Sequence, residues 1–172
     1  MNYTAFLEGT GKDDNRRRIK DILRYGNARL ECSHDYIQRV FPTAESSRFS
    51  DVEPITEEDL AALRQSDKAK ENVRLMYQKM LSFWKIDDDR YKEWGNNALL
   101  RLWNRNNNHN QWRMTRVLKS LALLQMTEEY KDFTMRLSAI LDLRENNRDI
   151  HITDETAAIW RENFYTGKEE AR

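Results

Sequence analysis

The chain has 172 residues, 34% charged and 39% hydrophobic, with 29 basic and 29 acidic side chains and a formal net charge of zero. That length is ample for one buried core, and the charge balance argues against a general nucleic-acid binder, which carries a basic excess. A single cysteine excludes an internal disulfide and supplies no metal cluster, no stretch approaches the ~20 apolar residues of a membrane span, and the opening MNYTAFLEGTGKDD lacks the basic-then-apolar pattern of a secretory signal, so the expected compartment is cytoplasmic.

Few glycines and prolines, five and two, point to long helices rather than many tight turns. Tyr3, Phe6 and Leu7 supply one short helical turn, ended by Gly9 and Gly11. Asp13 and Asp14 place acid at the start of a second helix, Ile19, Ile22 and Leu23 give it an apolar side, and Gly26 suits its C′ position. Arg16, Arg17 and Arg18 read as a solvated face paired with those aspartates. In LECSHDYIQRVFP, residues 30–42, Ser33 is the expected N-cap and Ile37, Val40 and Phe41 turn inward. Pro42 ends that helix, because the residue before proline avoids the α region. Residues 43–54 are polar and read as a surface loop. Thr56 opens a capping box with Asp59, ahead of Leu60 and Leu63. Ser66 and Asp67 restart a longer helix in which Ala69, Val73, Met76, Tyr77, Met80, Phe83 and Trp84 keep the 3.6-residue period of a core stripe. Asp87, Asp88 and Asp89 lack the spacing and glycine of a calcium loop and read as acid at a helix start, continued by Tyr91, Trp94, Ala98, Leu99 and Leu102.

The stretch 104–125, NRNNNHNQWRMTRVLKSLALLQ, follows. Asparagine amides compete for backbone hydrogen bonds, so its first half suits a loop and an N-cap, and the helix is expected to start near Asn110. Met114, Val117, Leu118, Leu121, Leu124 and Gln125 make one stripe; Arg113, Arg116, Lys119 and Ser120 make another. Cations in the first turns oppose the helix dipole unless a carboxylate or an anionic partner sits opposite. Thr127 to Glu129 cap a further helix, with Tyr130, Phe133, Leu137, Ile140 and Leu141 inside and Arg136 and Arg144 outside. Ile152 to Glu155 open the last one, with Ile152 stapled onto Ala157 and Trp160 and Phe164 on the same face. No period-2 run suggests a strand. The reading is all-α: a single-domain irregular bundle of about seven or eight helices over residues 1–166, with 167–172 a frayed tail.

Two polar segments stand out for chemistry. His34, Tyr36 and Gln38 cluster in one, and Trp103, His109, Asn110, Trp112, Arg113, Arg116 and Lys119 cluster in the other. As a recognition surface, Arg113 and Arg116 would take a carboxylate or phosphate and Trp103 or Trp112 would supply apolar contact. As structure, His34, Tyr36, Gln38, His109 and Asn110 would form a buried hydrogen-bond network tying two helices together. A nucleic-acid reading would use Arg105, Arg113, Arg116 and Lys119. An enzyme would use His34 and His109 as acid and base, but no companion nucleophile, P-loop, dinucleotide glycine fingerprint or H-E-x-x-H is present, so a non-catalytic binding module without a cofactor or metal is expected.

The same segments carry a family resemblance. LECSHDYIQRVFP resembles the LE…H-x-Y-I-Q-W-L-F-P signature of the opioid growth factor receptor conserved region, and HNQWRMTRVLKSL resembles its H-N-x-L-R-I-T-R-I-L-K-S-L signature. Between them, YQKMLSFWKI is similar to the family's Y-x-x-M-L-x-F-Y-G-I, and the resemblance spans residues 19–145. Arg39 stands where the family has tryptophan, and Trp112 where it has leucine. The resemblance implies a helical fold, a receptor for the peptide Met-enkephalin and a part in growth regulation. A peptide or protein segment is accordingly the expected partner.

Overall fold

The computed structural model describes residues 1–45, 52–89, 101–146 and 149–169. Among them are nine helices and no strand: α1 Tyr3–Glu8, α2 Ile19–Leu23, α3 Asn27–Cys32, α4 Tyr36–Val40, α5 Glu57–Gln65, α6 Asp67–Trp84, α7 His109–Leu123, α8 Thr127–Asn146 and α9 Asp154–Glu169. The expected continuation through Tyr91, Trp94, Ala98 and Leu99 lies outside the described residues. No described helix is long and apolar enough to cross a membrane.

Local chemistry sets most of the boundaries. The Asn2 side chain accepts from the Ala5 amide and starts α1; Gly9, at φ +84°, closes it in the left-handed region that glycine enters without strain. Gly11 then folds back onto α1 so closely that a Cβ would lie 2.9 Å from the Ala5 Cβ and 3.1 Å from its carbonyl carbon. Thr56 and Ser66 cap α5 and α6 by accepting from the amides of Asp59 and Ala69. Ser66 also donates to Glu8 Oε1 at 2.7 Å, tying the start of α6 to the end of α1.

The core follows the expected stripes. Every member of the α6 stripe is buried, as are Tyr130, Phe133, Leu137, Ile140 and Leu141 on α8. Trp84, Trp103 and Trp160 are fully buried, and the Trp84 ring stacks on Phe133 at 6.0 Å between centroids. Burial of such a side chain contributes about 1.5–3 kcal/mol, so this aromatic centre is a principal source of cohesion. α1 packs on α5 and α6, while α7 packs on α8 and α9, and Trp160 of α9 donates its indole N–H to Thr115 of α7 at 2.8 Å.

Several boundaries differ from the sequence reading. Gly26 has φ −74° and serves as the N-cap of α3, a short helix the reading did not separate. Ser33 closes α3, and Asp35 is the N-cap of α4. Gln125 is exposed, at φ 55° just past the end of α7, rather than part of its stripe. Ser120, expected on the polar stripe, is fully buried. Arg136 and Arg144 are largely covered rather than outside, with 19% and 23% of their side chains exposed. α9 continues past Gly167 to Glu169.

Candidate functional site

The asparagine-rich run builds a junction from side-chain amides. Asn108 is the N-cap of α7, its side chain accepting from the Asn110 amide at 2.8 Å, so the helix begins at His109, one residue before the expected point. Asn110 is completely buried and fully used. Its Oδ1 accepts from Trp84 Nε1 at 3.2 Å and from Arg113 at 3.0 Å; its Nδ2 donates to Leu102 O at 2.9 Å and to Glu31 Oε2 at 3.0 Å. Gln111 donates to the carbonyls of Trp103, Arg105 and His151. Asn104 completes the clamp, donating to Asp149 O and accepting from the His151 amide. These bonds satisfy the buried Trp103 carbonyl and the part-buried carbonyls of Arg105, Asp149 and His151, and so tie two loop segments to α7.

Arg113 joins α7 to the α3–α4 turn. Only 5% exposed, it donates to Ser33 O at 2.8 Å and Glu31 O at 3.2 Å, and its charge lies 3.7 Å from Glu31 Oε2. Glu31 is the carboxylate that a cation in the first turn of α7 calls for. Arg113 also points Nη2 at His34 Nδ1, 3.3 Å away. A guanidinium nitrogen can only donate, and Nη2 directs its two N–H groups among the Ser33 and Glu31 carbonyls and His34 Nδ1. His34 and His109 meet edge to face, with centroids 5.6 Å apart, and His109 Nε2 lies 3.1 Å from Glu31 Oε1. Burial, then the neighbouring Arg113 charge, hold His109 below the ordinary imidazole range despite the pull of Glu31. Tyr36 lies beneath, with the Arg113 guanidinium carbon 5.7 Å from its ring centre. Burial pushes its hydroxyl up to about 12.

The structure thus divides the expected site residues by depth. Tyr36, Gln38, Trp103, Asn110 and Arg113 are buried. Tyr36 donates to Leu30 O, Trp103 donates to Trp84 O, and Gln38 Oε1 finds no hydrogen-bond partner among the described residues. Arg116 donates to Phe41 O at 2.9 Å, and burial lowers its pKa. Lys119 reaches Glu45 at 2.9 Å. At the surface are His34, the half-buried His109 and Trp112, 46% exposed. Cys32, an exposed free thiol, lies close to His34 in sequence. Glu31, Asn104, Asn108 and Gln111 were not singled out by the sequence reading. The dipole argument above, which called for a carboxylate opposite Arg113, was the available signal for Glu31. Among the described residues no group of three or more histidine, cysteine, aspartate or glutamate side chains is gathered to hold a metal ion.

Of the three arginines, Arg16 is exposed while Arg17 and Arg18 are partly buried and engaged with the fold. Arg17 pairs with Asp13 and Asp35, each at 2.6 Å, and Arg18 donates to the carbonyls of Gly9 and Thr10. Burial opposes ionisation of Asp35, but hydrogen bonds and charge from Arg17 outweigh it and hold that carboxyl below its usual range. Arg39, 8% exposed, lies among Asp13, Asp14 and Asp35, so this position, one of the two that depart from the family signatures, is an ionic junction in this chain.

Comparison with known proteins bears on the same region. Residues 12–146 match the family described as Opioid growth factor receptor (OGFr) conserved region. The chain is 32% identical over 125 residues to the opioid growth factor receptors of Rattus norvegicus and Mus musculus, a match covering 66% of this chain and 21% and 19% of those proteins. It therefore spans about a fifth of the length of these curated relatives. No solved structure matches it.

Proposed function

The chain belongs to the opioid growth factor receptor conserved-region family, and from that premise we propose that it is a non-catalytic binding module for a peptide or protein segment. The supporting observation is the surface above the α7 junction. Trp112 lies one helical turn from His109, and the exposed edge of His34 completes an aromatic face on a support fixed by Asn110 and Arg113. Exposed aromatic side chains on a rigid base bind with little loss of conformational freedom. The relatives' name, a receptor for an opioid growth factor, fits a peptide ligand. Nucleic acid is the weaker reading, because Arg113 and Arg116 engage backbone carbonyls and Lys119 engages Glu45. The two histidines have a part in the junction that needs no catalytic step.

The test is selection from a displayed random-peptide library, followed by fluorescence anisotropy of the selected peptides. Trp112→Ala and His34→Ala, both at surface positions, should remain folded by circular dichroism and weaken binding by about tenfold or more. Peptides that bind both variants as tightly as the parent chain would place recognition elsewhere.

A further inference from the structure

On another part of the molecule, α6 and α8 enclose a groove of about 370 Å³ floored by Tyr77 and Leu81. We propose that this groove docks a basic amphipathic helix of a partner protein.

The argument starts from charge. Four carboxylates, Asp87, Glu128, Glu129 and Asp132, line the groove with two arginines, leaving two negative charges in excess. Both arginines are committed to the fold. Arg74 pairs with Glu129 and Glu71. Arg136 pairs with Asp132 and donates to the carbonyl of Ile86. Tyr77 also donates to Asp132, at 2.5 Å, and burial, then that bond, keep its hydroxyl protonated. The carboxylates left to a ligand are Asp87, which is exposed, and Glu128, 87% exposed with only a 3.9 Å contact to Lys131. They stand at the mouth, above an apolar floor. That combination fits a lysine or arginine, whose charge reaches the carboxylates while its aliphatic stem crosses the narrow exposed edges of Leu81 and Tyr77, 5% and 3% exposed.

The helices walling the groove also carry exposed apolar side chains. Leu75 is 42% exposed on α6, three residues from Gln78 of the lining; Met135 is 65% exposed on α8, three residues from Asp132. Residues three apart on a helix are neighbours, so each sits on a shoulder of the groove. A partner helix with lysines along one seam and leucines beside it would meet both features.

The probe is a fluorescein-labelled amphipathic helix of leucine and lysine, read by anisotropy against the whole chain. A leucine–glutamate helix and a glycine–lysine peptide serve as controls. The leucine–lysine helix should bind, weaken as salt is raised, and lose about tenfold or more in affinity with Asp87→Asn/Glu128→Gln. Leu75→Ser/Met135→Ser should weaken it independently, and Trp112→Ala should leave it unchanged. All these positions are exposed, so circular dichroism should report a native fold throughout. Equal binding by parent chain and Asp87→Asn/Glu128→Gln would overturn the proposal, as would no binding at all. Equal affinity for the glycine–lysine peptide, or loss of binding only in Trp112→Ala, would do the same. Those outcomes are separate from the peptide selection above, which reads the α7 face.

Discussion

The Asn110 side chain hydrogen-bonds to Trp84 on α6, Glu31 on α3, the Leu102 carbonyl and Arg113, and the residue is completely buried. Asn110→Ala leaves the Trp84 indole buried without a partner and the part-buried Leu102 carbonyl without this donor, and unmade buried bonds cost more than made ones return. We expect a loss of about 3 kcal/mol in urea unfolding, against about 1 kcal/mol for Asn108→Ala, which removes only a cap. His109 sets a second expectation. Its folded pKa lies below the ordinary value of about 6.5. The unfolded chain then takes up the proton first, so this contribution to stability is complete above about pH 6.5 and declines as pH falls toward the folded pKa. Glu31, His34 and Arg113 all face the ring, and only Glu31 favours the cation. Urea unfolding at about pH 7.5 and 5.5 should therefore show a smaller pH difference for His109→Gln than for the parent chain. An undiminished difference would assign the titration to another group.

At the scale of elements, α6 depends on a cap with two roles. Ser66→Ala removes the acceptor for the Ala69 amide and the donor to Glu8, so it should lower stability by about 1–2 kcal/mol in thermal or urea unfolding. Thr56→Ala, which loses a local cap, should cost about 1 kcal/mol. α6 and α8 were legible in the sequence because their apolar residues repeat over several turns, and burial of that stripe is what selects the helix. α3 and α4 are too short for a period to accumulate, and the residues at their ends carry ambiguous signals. Gly26 and Ser33 each suit more than one helix-end position, and only the path of the chain through the fold decides between them. The candidate site was legible as two segments but not by depth. Arg113 and Trp112 emerge about 100° apart around α7, and which of those two sides is covered depends on where α3 lies. Glu31 gave a signal only through the dipole argument, because its partners are 78 or more residues away.

For the whole molecule, the family match covers residues 12–146, but the core extends beyond it at both ends. Phe6 and Leu7 of α1 and Ala157 and Trp160 of α9 are completely buried outside that span. Their removal would forfeit several kcal/mol of apolar burial, comparable with the 5–15 kcal/mol stability typical of a whole domain. A chain trimmed to residues 12–146 should lose its cooperative thermal transition and bind a hydrophobic dye; a sharp transition in that fragment would show α1 and α9 to be accessories. Cys32 has a different consequence at this scale. It is the one cysteine in the chain, and it is exposed at the end of α3, beside Glu31 and two residues before His34. A maleimide dye coupled there becomes a reporter of the aromatic face without any substitution. Should the proposed peptide bind that face, two molecules linked through this thiol by air oxidation would be expected to titrate with less than the stoichiometry of reduced protein.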